Sequence, residues 1–484
     1  MLAKGLGFVR NIIFASEFGA SELTDIYSQV FGIATFLFTC IGTALGTLVI
    51  KNLNKPENAL PSAQKQYVSR FIQRISLVVI AATAFMYVGS DLIIKFLLPE
   101  LDAQFLTDAR QMMYIMLPSG LFVIIAYIIA SVLQNCKVFF VTSIMSLPYN
   151  VIIISSLIFR DLDIYKISYI TTLGWILHAV VLLPSFYRKG FRIFYRDKSL
   201  LGTGGKEKSL EVLYIFISSI MFHMCFVFDK AAVSGVSGAA TTIHYASNFF
   251  VTIASIFVVA MSNVSFPGIS KSYEKGDRET VKKITQQLIS LLMAIIIPFI
   301  LVAVVFGTDI MSLLYERGEF TRENVEQTAV LFVIYTFGVF GYICQELFNK
   351  LLYLDSRYRV PVIGSIAIML AKPIINHFVA DFGVVPIALS TTALFTVYAA
   401  VIAIAITKVT GNYATREFCK NILKILIAGG AALLVWLVFH LTGFDPIGGK
   451  FGFVLPLCAC GAVYVAVILV SGLYKYLLPK RSVN

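Results

Sequence analysis

The sequence predicts an all-α integral membrane protein of about fourteen transmembrane helices, and three observations predict it. Of the 484 residues, 58% are hydrophobic and only 14% charged, whereas soluble domains carry about a quarter charged residues. Apolar runs of about 20 residues recur along the whole chain, the length at which a helix crosses the hydrocarbon core. Positive charge gathers in every second loop, as topology in a bilayer requires. A membrane β-barrel would show shorter segments of alternating polarity instead. A soluble chain of this length would split into domains joined by polar linkers.

The expected spans centre near Phe8, Thr39, Ala82, Ile124, Val151, Trp175, Ile220, Ile256, Met293, Phe337, Ile368, Phe395, Ala431 and Val465. The even-numbered loops are basic. The second holds Lys51, Lys55, Lys65, Arg70 and Arg74 against Glu57, and the sixth holds Arg188, Lys189, Arg192, Arg196, Lys198, Lys206 and Lys208. The eighth holds Lys271, Lys275, Arg278, Lys282 and Lys283. Odd-numbered loops are acidic or uncharged, with Glu17 and Glu22, then Glu100 and Asp102, then Asp161 and Asp163. The alternation places both termini in the cytoplasm and supports an even helix count. It also accounts for the net charge of +12 without nucleic acid as a partner.

An internal repeat sets the domain organisation. Tyr27 matches Tyr245, Phe31 matches Phe249, Asp91 matches Asp309 and Gly120 matches Gly338, each pair 218 positions apart. Pro148 and Asn150 resemble Pro373 and Asn376 with a small insertion. The repeated unit holds six helices, so both copies enter the membrane the same way, a parallel repeat. The expected organisation is an N-terminal lobe over 1–190, a cytoplasmic linker over 191–208, a C-terminal lobe over 209–410 and two additional helices over 411–484. Two such pseudo-symmetric six-helix lobes would enclose a central cavity.

Charges inside spans point to function, because each costs at least a few kcal/mol unless it faces a cavity or a partner. Lys4 and Arg10 lie in the first helix, Lys4 reading as an interfacial anchor and Arg10, which is deeper, as a cavity residue. Asp229 and Lys230 admit two readings, a local ion pair or a charged pair lining the cavity. Glu346 and Lys350 are spaced i, i+4 and read as a structural salt bridge. Asn376 and His377 follow Lys372 by one turn. Asp229 and Asn376 offer carboxylate and amide oxygens, a donor set suited to Na⁺ or to a proton relay. The histidines His223 and His244 read as hydrogen-bonded packing.

Other chemistries are excluded by what is missing. No phosphate-binding GxxxxGK[ST], HExxH or GxSxG segment occurs, so the chain carries no ATPase, zinc protease or serine hydrolase motif. No loop is long enough for an external catalytic domain. The seven cysteines lie mostly in apolar runs without a CxxC pair and read as small hydrophobes. The expectation is a transporter without a cofactor or metal, driven by a Na⁺ or H⁺ gradient, the membrane potential or its substrate's own gradient.

The segment Gly7-Phe8-Val9-Arg10-Asn11, with Phe18-Gly19-Ala20 and Thr24-Asp25, resembles the first helix and following loop of the MurJ (MviN) family. These are lipid II flippases within the multidrug/oligosaccharidyl-lipid/polysaccharide exporter superfamily. Asp229-Lys230, Gly235 to Gly238, Tyr245-Ala246, Pro267 with Ile269-Ser270 and Gly276 are similar to that family's pattern, and the run Leu314 to Thr321 is its most specific piece. The resemblance implies fourteen helices and the flipping of an undecaprenyl-pyrophosphate-linked glycan from the inner to the outer leaflet of the bacterial cytoplasmic membrane. Membrane lipids and cell-wall synthesis proteins would be its partners. It implies a headgroup site of Arg10, Lys4, Asp25, Lys230 and Asn248, and a tail groove on the last two helices. Lys4 and Asn248 stand where the family carries arginine, and Phe38 stands near a third such place. The cavity would therefore be less basic than in well-matched members. Capsular or exopolysaccharide repeat-unit flipping and cation-coupled drug export are the alternatives.

Overall fold

The computed structural model describes residues 2–32, 38–53, 61–158, 162–194, 209–264, 266–443 and 452–477. They form helices and no strand. In order these are α1 (Leu2–Phe18), α2 (Glu22–Gly32), α3 (Phe38–Leu53), α4 (Pro61–Val88), α5 (Ser90–Leu97), α6 (Leu106–Met116) and α7 (Ser119–Asn135). Next come α8 (Phe139–Ile144), α9 (Leu147–Ile158), α10 (Ile164–Val180), α11 (Leu183–Arg188), α12 (Ser209–Ala231), α13 (Ala239–Val264) and α14 (Phe266–Glu274). The chain continues through α15 (Arg278–Tyr315), α16 (Arg322–Leu354), α17 (Arg359–Val379), α18 (Val384–Thr410), α19 (Arg416–Thr442), α20 (Val454–Val470) and α21 (Tyr474–Leu477).

Each of the fourteen expected centres falls inside a helix. Among the described residues, nine helical stretches are long and apolar enough to cross a bilayer unaided. Large apolar side chains stay exposed along them, Leu77, Phe85, Ile404 and Leu434 among many. In water that would be a liability; facing lipid it is the expected outer surface. The protein is a multi-pass membrane protein.

The chain packs as two compact units. The first comprises Met1–His244, Arg317–Phe320 and Ser365–Ala380. It extends beyond residue 190, where the sequence places the end of its first lobe, and takes in α12, the start of α13 and much of α17. Its tightest contact is α3 on α7. Gly42 and Gly46, one turn apart, lay bare backbone against that partner. A Cβ on Gly42 would sit 2.9 Å from the Tyr127 Cβ, and one on Gly46 would sit 2.1 Å from the Ser131 Oγ. With no hydrophobic force between helices in lipid, such small-residue seams let dispersion hold them together. Elsewhere in this unit the segment 317–320 folds onto the α1–α2 turn. Glu319 N–H donates to the Ser16 carbonyl at 2.9 Å. Gly318 has φ +58°, and a Cβ there would lie 2.0 Å from the same carbonyl oxygen. Only glycine fits both the conformation and the space.

The second unit comprises Tyr245–Glu316, Thr321–Gly364 and Asp381–Asn484. Its axis is α15, 38 residues long with Pro298 inside. The missing proline N–H and the ring's bulk disturb one turn of the helix ladder there. Thr321 and Asn324 form a reciprocal capping box that starts α16. Gly338 and Gly341 then bring α16 against Thr392, Phe395 and Thr396 of α18. The Tyr464 hydroxyl of α20 donates to the Ala294 carbonyl at 2.7 Å, tying α20 to α15. Tyr273 donates to Asp355 at 2.5 Å in the turn after α16. That bond, with Arg357 beside it, holds the Asp355 carboxyl below the ordinary range.

The α3–α7 seam gives a direct check. Gly46→Leu forces a side chain into space already filled by Ser131, an overpacking cost of about 1–3 kcal/mol. The expected result is a lower unfolding midpoint in detergent and less monodisperse protein. An unchanged midpoint would contradict the close approach of the two helices.

Candidate functional site

Arg10 is half-buried on α1. Its Nε and Nη2 donate to the Asn11 Oδ1 at 3.1 and 2.7 Å. The guanidinium carbon lies 5.6 Å from the Phe31 ring centroid and 5.2 Å from that of Tyr149. Phe31 comes from α2 and Tyr149 from α9, so three helices fix one planar cation. Stacking extends behind the clamp. Tyr27 stacks on Phe31 at 5.8 Å and on Phe14 at 4.9 Å, and its hydroxyl meets Thr171 Oγ1 at 2.8 Å. Tyr149 in turn lies 4.6 Å from Trp175. Aromatic faces favour a guanidinium and orient its plane. No carboxylate among the described residues pairs with Arg10. Its charge is thus held in place while part of its N–H fork keeps no acceptor among them, the arrangement a bidentate anion site requires.

Asp229 and Lys230 end α12 and diverge, since successive helical residues point about 100° apart. Of the two readings open for them, the local ion pair is not the one formed, because Asp229 has a partner on another helix. Asp229 Oδ1 pairs with Lys372 Nζ of α17 at 2.5 Å, both side chains being fully buried. Lys372 also donates to the Asn376 Oδ1 at 2.7 Å. The Asn376 Nδ2 donates back to the Asp229 Oδ1 at 3.2 Å and to the Phe228 carbonyl at 3.1 Å. The two residues expected to supply cation ligands therefore do come together, with an ammonium standing between their oxygens. Removing one partner of such a pair strands the other and costs about 3–5 kcal/mol.

Lys230 turns the other way, toward α2. Its ammonium donates to the Ser28 carbonyl at 2.9 Å and is 2% exposed. One turn back on α2, Asp25 is 4% exposed and its Oδ1 accepts the Thr241 N–H at 2.6 Å. Thr241 lies in the first turn of α13, where free N–H groups and the helix dipole favour a carboxylate. Gly238, with φ +79°, makes the turn that delivers this helix end. Gln29 binds the chain on the same side, donating to the carbonyls of Leu97 and Val227. In this conformation Asp25 and Lys230 are thus engaged in joining α2 to α12 and α13.

The remaining expected residues fall elsewhere. Lys4 is placed on the first turns of α1 by its backbone, and its side chain lies outside the described residues. Asn248 is half-buried on α13 and belongs to the second unit. Glu346 and Lys350 interact electrostatically along α16. His223 packs against Phe222, and His244 meets the edge of Phe31. Sequence reasoning missed Tyr149 and Phe31 as the clamp, and Lys372 as the partner of Asp229. The available signal for Lys372 was its lone positive charge one turn from Asn376 in an apolar span.

Lipid-facing helical spans with a buried ion pair between two of the helices define a polytopic membrane protein. The chain belongs to the lipid II flippase MurJ family, whose sequence model matches residues 14–448. A probable lipid II flippase MurJ of Buchnera aphidicola subsp. Schizaphis graminum is 23% identical over 393 residues, covering 78% of this chain and 75% of the relative. The lipid II flippase MurJ of Burkholderia cenocepacia is 22% identical over 396 residues, again 78% and 75%. A solved lipid II flippase MurJ in an inward closed conformation superposes with a TM-score of 0.79 at 20% identity over 98% of both chains. An inward-facing multidrug transporter of the MATE family matches with 0.66 at 12% identity, over 85% of this chain and 96% of the other.

The Asp25 contact predicts a stability effect. Asp25→Ala leaves the Thr241 N–H unsatisfied at a buried helix start, worth about 1–3 kcal/mol. A lowered unfolding midpoint in detergent is expected, whereas Glu22→Ala, on the opening turn of α2, serves as a near-neutral control. Equal midpoints for the two variants would contradict the bridging role.

Proposed function

We propose that this protein flips lipid II, an undecaprenyl-pyrophosphate-linked glycan, from the inner to the outer leaflet of the bacterial cytoplasmic membrane. The observation that carries the reading is the Arg10 clamp, in a chain of the lipid II flippase MurJ family. A pyrophosphate presents paired anionic oxygens. A guanidinium held flat by two rings meets them with two parallel N–H bonds, and charge-assisted bonds of this kind are about twice as strong as neutral ones. Lys4 adds charge on the same helix. Asp25 and Lys230, committed to the α2–α12–α13 junction here, set the shape of the unit that carries Arg10. Asn248 supplies a neutral amide where the resemblance anticipates an arginine.

The lipid tail has its own fit. An apolar pocket in the second unit is lined by Pro298, Leu301 and Phe306 of α15, Ala432 and Trp436 of α19 and Tyr464 of α20. Two helices beyond a twelve-helix repeat would serve this purpose, giving the isoprenoid chain an edge along which to follow its headgroup. The lobes over 1–190 and 209–410 would alternate access to the two leaflets, with the linker at 191–208 and both termini on the cytoplasmic side, as the loop charges direct. The product serves peptidoglycan synthesis, so the partners are the lipid-linked substrate, the surrounding lipids and the enzymes that consume it.

Two experiments test this. In a strain depleted of its own lipid II flippase, Arg10→Ala is expected to abolish growth rescue at normal protein level. Arg10→Lys should retain part of it, because a lysine keeps the charge without the fork. Full rescue by Arg10→Ala would refute the assignment. For orientation, a cysteine at Ser272 in a cysteine-free background should resist an impermeant thiol reagent applied from outside. Labelling without permeabilisation would overturn the topology.

A further inference from the structure

We propose that Lys372 is a tethered cation, whose ammonium fills the position between Asp229 and Asn376 that a free monovalent metal ion would take, so that this chain works without sodium there. The proposal rests on the flipping reading for its consequence, but its geometry stands independently. The two oxygens that face the ammonium are those of a hard-cation site, one from a carboxylate and one from an amide. The ammonium lies 2.5 and 2.7 Å from them, a spacing close to that of metal cations from oxygen ligands. The amide orientation follows from the same chemistry. Asn376 must turn its oxygen to the ammonium, which leaves its nitrogen to donate to Asp229 and Phe228.

Every part of this cluster is buried. Asp229 and Lys372 are fully enclosed and Asn376 is 2% exposed. A carboxylate in such a place must be protonated or balanced by a cation, and there are two ways to provide a cation. A mobile ion can arrive and leave, which couples its gradient to the motion of the helices that hold it. A lysine cannot leave. It keeps α12 and α17 joined whenever the two helices approach, whatever ions are in solution. Lys372 also precedes Pro373 within α17, so the ammonium is anchored at the turn where that helix loses a backbone bond. The energy for flipping would then come from the headgroup's own charge in the membrane potential or from the substrate gradient.

The test removes the tether and offers ions in its place. Wild-type protein in detergent should show the same unfolding midpoint in sodium chloride and in choline chloride at equal ionic strength. Lys372→Met leaves the Asp229 and Asn376 oxygens facing a space of cation size. Its midpoint should fall in choline and recover by several degrees, saturably, in sodium. The double variant Asp229→Asn/Lys372→Met should lose that response. A Lys372→Met protein that folds but responds equally to both salts would overturn the proposal. So would a wild-type sodium response that Asp229→Asn abolishes. If Lys372→Met does not fold in choline, purification in sodium decides: monodisperse protein in sodium alone supports the tether. Failure in both salts, with the double variant well folded, marks a merely structural ion pair and contradicts it. None of these readings involves substrate. A vesicle assay with and without a sodium gradient, in which wild-type flipping is expected to be the same, tests the functional consequence separately.

Discussion

The structure depends on one constraint: a charge placed in an apolar interior must find its counterpart within the chain. The first unit answers it with Asp229 against Lys372, and with Lys230 on a helix carbonyl near the start of α13 that Asp25 holds. These contacts reach across long stretches of sequence and draw α2, α12, α13 and α17 into one packed body. Lipid offers no hydrophobic force to do the same, so glycine seams and polar bridges carry the assembly. Buried ion pairs are poor sources of net stability, since desolvation offsets much of their attraction. Their effect here is specificity. An α12 rotated by one residue, about 100°, would turn Asp229 away from Lys372 and break the pair.

Arg10 departs from the pattern, and the proposed function rests on that departure. It is half-buried and braced by Asn11, Phe31 and Tyr149, with no carboxylate partner among the described residues. A structural arginine would be paired. One held by π-faces with part of its fork unused is prepared for an anion that arrives and departs. The aromatic stack running from Phe14 through Tyr27 to Phe31 fixes the clamp from behind. Under the proposed function, positioning before binding would limit what the site must order when a headgroup enters.

Much of this was legible in the sequence. A span of apolar residues long enough to cross the bilayer can be read without knowing any neighbour, and all fourteen centres lie in helices. Less legible were the breaks, such as α8 before α9 and α11 after α10, where Pro148 and Pro184 open the second helix in a run that hydropathy reads as continuous. Arg10 could be singled out because a deep charge is costly wherever it sits. Its clamp could not, because Tyr149 is 139 positions away and nothing local marks it. The pairing of Asp229 with Lys230 followed proximity along the chain, and helix rotation undid it. The run from Leu314 to Thr321, which holds Gly318 and Glu319, stood out as the most specific piece of the family pattern. Its fit against Ser16 and the Gly19 turn shows the steric reason only in three dimensions.

The central claim is that this chain carries an anionic glycolipid across a bilayer by engaging its pyrophosphate. The most direct measurement is transbilayer movement of labelled lipid II in vesicles reconstituted with the purified protein, read by access of an impermeant probe to the sugar. The account predicts rapid equilibration of lipid II, with a polyprenyl-linked glycan lacking the pyrophosphate left in its original leaflet. Equal movement of both lipids, or movement of neither, would contradict it.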